Sequence, residues 1–498
     1  MKQVMSGLVF ACIAGFVLTS VNGQLSQSSP IGNCDQYRDS RGQYHITEDD
    51  NSMYCFHLHL YQSALDFAHP EAPRIYIQEL LKNALSRCIN PRPRKVTPAP
   101  SQPQPAKPII PKKVCRTRKC RRARYSKRVK RAALRPTSNR GRRFRKRTKR
   151  VARKGNKNRK PHGKESKCNW VRKEVRMLSR SEWIRFAKRL NILKRPIVIP
   201  GEGSFIPYDL ISNVHSHGPN LDAAYGGPNF LGWNRIYLLI LETALGIPVP
   251  YWDNRMDYDM DEPTHSILWT DEFFGPGFGI VDSGPFKGWT TADNLSLRRD
   301  IGRKGSLISA CMVEKILRYK SHDPIVEPTT RSISLEEYQN GPHRWVGEQM
   351  SILQSASQDP IFFLHRSFVD YIWYQFRNKL RSAGDVNPSL DYPDKGPPSH
   401  RRGETMIPFG NLRNIIGYGD FIERLTQYED SPTCSACSSS EYLECDTQIN
   451  RCKSKAKTVD MAAGQMGFQQ PRQRMTPALR GKKFRSAETD PRTRGNLF

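Results

Sequence analysis

From residue 171 onward, apolar and polar residues recur with helical spacing in several separate stretches. Over 171–194, Ser179 and Glu182 have the spacing of a capping box, and one apolar helical face follows from Trp183. Similar patterns predict four further helices, at about 207–217, 230–245, 335–350 and 360–380. Because Gly- and Pro-rich stretches separate these helices, the sequence predicts a mainly α fold, a helical core with long loops.

The first residues have the pattern of a secretory signal peptide. Lys2 precedes the apolar run LVFACIAGFVL, and small residues end this run at Gly23. We therefore expect residues 1–23 to be removed and the mature protein to be secreted. No later stretch approaches about 18 consecutive apolar residues, so we expect no membrane partner.

Residues 24–95 form a segment with a helical pattern of their own. The stretch RIYIQELLKNALSRC (74–88) has helical apolar spacing. Three cysteines lie in this segment: Cys34, Cys55 and Cys88. This pattern predicts a small helical module stapled by disulfides, separate from the larger region that follows.

The net charge of +33 is concentrated in two segments. Residues 101–164 contain 28 Lys and Arg and no acidic residue, and the basic tail 457–498 contributes +6 over its part 471–498. Subtracting both, 33 − 28 − 6, leaves −1 for the rest of the chain. The segment 96–167 is Pro-rich and then strongly basic, so it cannot bury a core and we expect it to be disordered.

Two interpretations of the basic segment remain open. It is a solvated linker, or it is an electrostatic arm that binds a polyanion by releasing counterions. Outside the cell the polyanion would be an acidic polymer or an acidic matrix protein, and secretion disfavours nucleic acid. RVKR and RTKR, which end at Arg131 and Arg150, have the dibasic pattern that secretory-pathway proteases cleave.

Cysteine usage fits an oxidising compartment. Four cysteines lie near the end of the larger region: Cys434, Cys437, Cys445 and Cys452. A Cys-x2-Cys start is typical of zinc sites in cytosolic proteins, but secretion and the looser second spacing favour disulfides. Cleavage of the signal peptide would remove Cys12 and leave an odd number, so one cysteine would be free or linked between chains.

Three stretches carry the candidate chemistry. AYGGPNFLGWNR resembles A-H-G-G-P-x-F-L-P-W-H-R of the tyrosinase family, the dicopper oxidases related to catechol oxidases and molluscan haemocyanin. QNGPHRWVG resembles H-N-x-x-H-x-W-V-G, and DPIFFLHRSFVDYIW resembles D-P-I-F-F-L-H-H-x-x-x-D-x-x-W. The resemblance covers roughly 168–456, Cys-rich end included, and is nearest to secreted invertebrate forms. It implies the tyrosinase/haemocyanin helical core, a four-helix bundle.

The resemblance also implies where two copper ions would bind, since three histidines hold each ion in this family. The six positions here are His215, Tyr225 and Asn234 for the first copper, and Gln339, His343 and Arg366 for the second. Amide oxygens are weak copper ligands, a phenol must first lose a proton, and a guanidinium cannot ligate. With four positions substituted, the sequence predicts no working dicopper centre and at most one bound copper ion.

Other residues near these positions have structural or open roles. Arg235 and Asp370 stand at family positions and are expected to pair, and Arg366 is expected to find an acidic partner because burying it alone is costly. A single-ion site built from His215, His217, His343 and His365 is the alternative to ordinary core histidines. His400 receives no ligand role, and Asn294 fits the N-glycosylation pattern.

Three functional hypotheses follow from these observations. The first is a secreted matrix protein, of a shell or cuticle by resemblance, that acts structurally or binds acidic polymers without catalysis. The second is a copper-dependent phenol or catechol oxidase that cross-links matrix proteins. The third is a polyanion-binding module in which residues 112–160 bind and the folded domain is a spacer.

Overall fold

Helices form the framework of the chain in the computed structural model, which describes residues 34–40, 42–86, 170–329 and 334–457. The predicted signal peptide, the basic segment and the tail beyond residue 457 lie outside these ranges, as do Arg131 and Arg150. The helices are α1 (Asp50–Ala68), α2 (Ala72–Ser86), α3 (Arg180–Leu193), α4 (Pro207–Asn213), α5 (Gly218–Ala224), α6 (Asn229–Leu245), α7 (Arg255–Tyr258), α8 (Ala310–Leu317), α9 (Leu335–Val346), α10 (Ile361–Ala383), α11 (Asp420–Leu425) and α12 (Cys434–Cys437).

The strands are short and pair only two at a time within the described ranges. They are β1 (Trp170–Arg172) with β6 (Thr426–Tyr428), β2 (Ile197–Ile199) with β3 (Gly203–Phe205), β4 (Phe278–Ile280) with β5 (Arg298–Asp300), and β7 (Leu443–Asp446) with β8 (Arg451–Ser454). The β1–β6 pair is parallel and the other three are antiparallel. The mainly α fold predicted from the sequence is confirmed.

The five predicted helices are present, with boundaries shifted by a few residues. At the start of α3, Ser179 and Glu182 form the predicted capping box. Helix α6 is buried along its whole length, which explains why its sequence is apolar nearly all round. No helix of the described ranges is long and apolar enough to cross a lipid bilayer.

The two N-terminal helices share the core of the larger domain. His57 of α1 donates from Nε2 to the carbonyl of Ala244 in α6 at 3.0 Å, and its Nδ1 accepts from the Tyr76 hydroxyl at 2.8 Å. Tyr61 stacks on Phe205, with ring centroids 4.0 Å apart. The expectation of a separate module over 24–95 is therefore corrected. The apolar faces of α1 and α2 are too small to form a core alone, and they are buried against α6 and β3.

Close backbone approach and strand pairing bring the end of the domain back to its centre. Strand β6 runs parallel to β1, in register from Trp170 with Thr426 to Arg172 with Tyr428. Gly417 lies against α6 so closely that a Cβ there would stand 2.5 Å from the Cα of Gly232. Glycine at both positions is what permits this contact.

The cysteines in the described ranges pair as expected for a secreted chain. Disulfides join Cys34 to Cys55, Cys434 to Cys445 and Cys437 to Cys452, which confirms disulfides rather than zinc for the C-terminal group. Among the described cysteines, Cys311 is free, and its side chain is exposed. Cys88 lies outside the described residues.

Replacing Leu80 with alanine should destabilise the whole domain by about 2–5 kcal/mol, because this fully buried side chain of α2 belongs to the shared core. Every tryptophan lies at or beyond Trp170, so denaturant unfolding followed by tryptophan fluorescence reports on the larger region alone. The exposed Lys82, changed to alanine, is the matched control. If the tryptophan transition is unchanged in the Leu80 variant, residues 24–95 form an independent module after all.

Candidate metal centre

Of the six positions that correspond to copper ligands, five are buried and Tyr225 is half-buried. The first three are provided by the turn after α4, the end of α5 and the first turns of α6. The second three lie on α9 and α10, where positions 339 and 343 are one helical turn apart. These residues are His215, Tyr225 and Asn234, followed by Gln339, His343 and Arg366.

One phenol hydroxyl joins the two sets. The Tyr225 hydroxyl is hydrogen-bonded to His215 Nε2 and accepts a hydrogen bond from Arg366 Nη2, while Arg366 Nη1 donates to Gln339 Oε1. A guanidinium can only donate, so the Tyr225 proton points to His215, whose Nε2 accepts. We call these four residues, His215, Tyr225, Gln339 and Arg366, the tyrosine junction.

Burial keeps the tyrosine junction in one protonation state. Burial raises the pKa of Tyr225, against the effect of the Arg366 charge, so the phenol stays protonated. Burial and the same charge hold the pKa of His215 well below its ordinary value, so the imidazole is neutral. Tyr225 is therefore a hydrogen-bonding phenol and not a phenolate ligand.

Aromatic rings surround the guanidinium of Arg366. This residue is only 1% exposed. Its central carbon lies 4.8 Å from the ring centroid of Phe362, 5.3 Å from that of Tyr225 and 5.5 Å from that of Phe230. Burial lowers the pKa of Arg366, while Tyr225 and the nearby carboxyl of Glu336 oppose this effect. The hydrogen bonds described above join Arg366 to Tyr225 and Gln339, and the expectation of an acidic partner stays a prediction.

Glu336 is buried one helical turn before Gln339 on α9. Its Oε1 accepts from the backbone N–H of Gly226 at 2.7 Å, directly beside Tyr225. Burial raises its pKa from 4.5 to about 8, above the opposing influence of that hydrogen bond. The i, i+3 spacing of Glu336 and Gln339 was the signal in the sequence that could have identified it.

The donors of this site do not fit a pair of copper ions. The Arg366 cation is hydrogen-bonded to Tyr225 and Gln339, so a second cation beside it would be repelled and would compete for the same oxygens. Asn234 donates from Nδ2 to the carbonyl of Phe230 at 2.8 Å, and its Oδ1 has no hydrogen-bond partner among the described residues. Its amide is thus turned onto its own helix.

The four histidines considered for a single-ion site are directed to separate partners. His343 Nδ1 donates to the carbonyl of Met350 and His365 Nε2 to that of Gln339, each at 3.0 Å. His215 bonds to Tyr225, and His217 is exposed at the start of α5. In the part of the chain that the structure describes, no three His, Cys, Asp or Glu side chains are grouped to hold a metal ion.

His400 has a structural role outside the centre. Its Nδ1 accepts from the backbone N–H of Asn229 at 3.1 Å, and its Nε2 donates to the carbonyl of Asp222 at 2.9 Å. These bonds fasten the 398–400 turn to the segment that leads into α6. A Cβ at Gly227 would stand 2.5 Å from the imidazole, so this residue must be glycine.

The expected pair of Arg235 and Asp370 is present beside the centre. Arg235 Nε donates to Asp370 Oδ1 at 2.8 Å, and its guanidinium carbon lies 3.8 Å from the ring centroid of Trp373. Asp370 Oδ2 also accepts from Arg172 at 3.0 Å and from the Tyr428 hydroxyl at 2.6 Å. Arg172 in turn donates to both carboxylate oxygens of Glu242, at 2.7 and 2.9 Å. We call this group, Arg172, Arg235, Glu242, Asp370 and Tyr428, the Asp370 network.

Comparison with known proteins agrees with this helical centre. A family model described as the common central domain of tyrosinase matches residues 206–379. The chain is 35% identical over 313 residues to tyrosinase-like protein 2 of Margaritifera margaritifera, a match that covers 57% of this chain and 66% of the relative. It is 30% identical over 222 residues to a tyrosinase of Streptomyces lincolnensis, covering 38% of this chain and 78% of that enzyme.

Among solved structures, a functional unit of octopus hemocyanin matches with a TM-score of 0.38 and 18% identity, over 52% of this chain and 68% of the other. Four of the six positions at which the tyrosinase pattern has copper-binding histidines carry other residues here. The chain belongs to the tyrosinase family. Copper is the metal of that family, and the donors described above do not fit it.

Replacing Glu336 with glutamine should remove a pH-dependent loss of stability. The folded pKa, about 8, lies above the ordinary 4.5, so the stabilisation from this group is complete below 4.5 and is lost as the pH rises through 8. The free energy of unfolding of the variant minus that of wild type should therefore rise between about pH 5 and pH 8, by at most about 1.4 kcal/mol per pH unit.

Denaturant titrations at several pH values measure this difference. The exposed neighbour Glu337, changed to glutamine, is the control and should leave the difference flat. If the difference in the free energy of unfolding is also independent of pH for the Glu336 variant, the Glu336 carboxyl of the wild type is ionised in the folded protein at neutral pH.

Proposed function

We propose that this chain is a secreted extracellular matrix protein of the tyrosinase family that does not oxidise phenols. The tyrosine junction is the observation that carries this proposal. A fixed guanidinium and a protonated phenol fill the space between the two sets of metal positions. The folded domain then serves as a scaffold, and the setting we propose is a shell or cuticle matrix, from the resemblance of the sequence to secreted invertebrate forms.

Electrostatics and ligand chemistry both support the loss of oxidation. Activation of dioxygen in this class needs two copper ions close together, each held by neutral imidazoles. Here Arg366 carries a permanent charge at one ligand position, and Tyr225 and Gln339 are its hydrogen-bond acceptors. A copper ion bound at position 366 would have to displace this buried cation from Tyr225 and Gln339.

Copper reconstitution of the purified full chain tests this proposal. Elemental analysis should find no retained copper, and an assay of dopa oxidation beside it should find no turnover. Two copper ions per chain with turnover would establish the oxidase that cross-links matrix proteins instead. One ion without turnover would indicate a remnant site on His215 or His343.

A variant that carries four histidines is the positive control for this measurement. The changes are Tyr225→His, Asn234→His, Gln339→His and Arg366→His, which complete the six imidazoles of the family pattern. We expect this variant to retain copper under conditions where the wild type retains none, because the donors are restored and the buried charge is removed.

The basic segments support a role in binding acidic polymers. Residues 101–164 carry 28 positive charges with no acidic residue, whereas the chain outside the two basic segments is near neutrality at −1. A cationic segment binds polyanions by counterion release. In this proposal the arms attach the protein to acidic matrix polymers or proteins while the folded domain remains catalytically silent.

Replacing residues 112–160 with a Gly-Ser linker of equal length should strongly weaken binding to chondroitin sulfate and to polyaspartate. Titrations at several salt concentrations should give a steep decrease of log K with log salt for the full chain and a much shallower one for the variant. Equal slopes would exclude the basic segment as the binding element. Binding retained by an isolated 112–160 peptide would favour the pure polyanion-binding module.

A further inference from the structure

A surface hairpin displays the tripeptide Asn294-Leu295-Ser296, which takes no part in the candidate metal centre. Thr290 and Ser296 form the β-bridge at its base, and Leu297 N–H donates to the carbonyl of Trp289 at 2.9 Å. Within the tip, Asn294 N–H donates to the carbonyl of Thr291 at 3.0 Å. The backbone of Asn294 has φ of 60°, a left-handed turn conformation that asparagine adopts more readily than most residues.

The hairpin tip is open to large molecules. Residues 293–296 are all exposed, and Leu295 is 61% exposed. Within the described part of the molecule, neither the side-chain amide of Asn294 nor the hydroxyl of Ser296 hydrogen-bonds to another residue. Both groups are therefore available to an enzyme. The turn geometry and the solvent position are those of an accessible acceptor for N-linked sugar, for which the motif requires a residue other than proline in the middle.

A second Asn-x-Ser triplet in the chain, Asn387-Pro388-Ser389, lacks these features. Its middle residue is proline, which excludes it from the motif. Ser389 is also occupied, because its hydroxyl donates to Asp420 and its N–H donates to Asn387 Oδ1 at 3.0 Å. This triplet is exposed at Asn387 and so provides a matched internal control.

We propose that Asn294 carries an N-linked oligosaccharide, attached to the accessible tip of this hairpin. The donor is a lipid diphosphate-linked oligosaccharide of the secretory pathway. A bond forms between Asn294 Nδ2 and the anomeric carbon of the first sugar, the bond from that carbon to the diphosphate oxygen breaks, and Nδ2 loses one proton. The sugar hydrates a tip that otherwise exposes Leu295. This inference rests on the proposed secretion.

Expression of the full chain in insect cells and analysis of the medium test the site. The tryptic peptide of residues 288–298 from the secreted protein should carry a hexose- and N-acetylhexosamine-containing mass that peptide N-glycosidase removes. The mass should disappear in Asn294→Gln and in Ser296→Ala, and persist in Ser296→Thr and in Asn387→Gln. A secreted wild type in which this peptide has its unmodified mass would overturn the inference.

A variant with a different signal peptide distinguishes a lack of glycosylation at Asn294 from a failure of secretion. Residues 1–23 are replaced by the signal peptide of a protein known to be secreted by the same cells. If the natural chain stays inside the cells, the proposed secretion fails, and the substituted form still decides the site. Its 288–298 peptide should be glycosylated, and an unmodified peptide there would also overturn the inference.

Discussion

A buried carboxylate holds the helical core together. Asp370 of α10 accepts hydrogen bonds from Arg235 of α6, from Arg172 of β1 and from Tyr428 of β6. Removing one partner from such a group leaves an uncompensated buried charge, which costs about 3–5 kcal/mol. The network therefore fixes α6 against α10, and it joins strand β1 to strand β6 through Arg172 and Tyr428.

The tyrosine junction depends on this arrangement. With α6 and α10 fixed and α9 packed beside them, positions 225, 339 and 366 are brought within hydrogen-bonding distance. A guanidinium buried alone would be costly, but here two oxygens accept from it and three rings face it. Glu336 adds a carboxyl beside Tyr225, and burial raises the pKa of this carboxyl to about 8, so most of its population is neutral near pH 7. Hydrogen bonds among Tyr225, Gln339 and Arg366 therefore occupy the middle of the centre.

Local patterns in the sequence predicted the helices and the capping box, and the family resemblance implied the pair of Arg235 and Asp370. The capping box follows from Ser179 and Glu182 because both partners lie within one helical turn. The hydrogen bond from His57 to Ala244 of α6 joins residues 187 positions apart. Helical periodicity says only that a helix face is apolar, not what covers it. For the same reason the substitutions at 225 and 366 were recognised singly, while their direct contact through one hydroxyl was not.

The shared hydroxyl of Tyr225 also determines how the centre could change over evolutionary time. Arg366, Tyr225 and Gln339 satisfy one another, so a change of Arg366 to histidine alone would leave two buried oxygens without their donor, at about 1–3 kcal/mol each. The same step would still leave three of the six metal positions without imidazole. A change at Arg366 alone thus loses stability before it contributes to a ligand set. The hydrogen bonds of the tyrosine junction therefore oppose a stepwise gain of imidazoles that begins at this position.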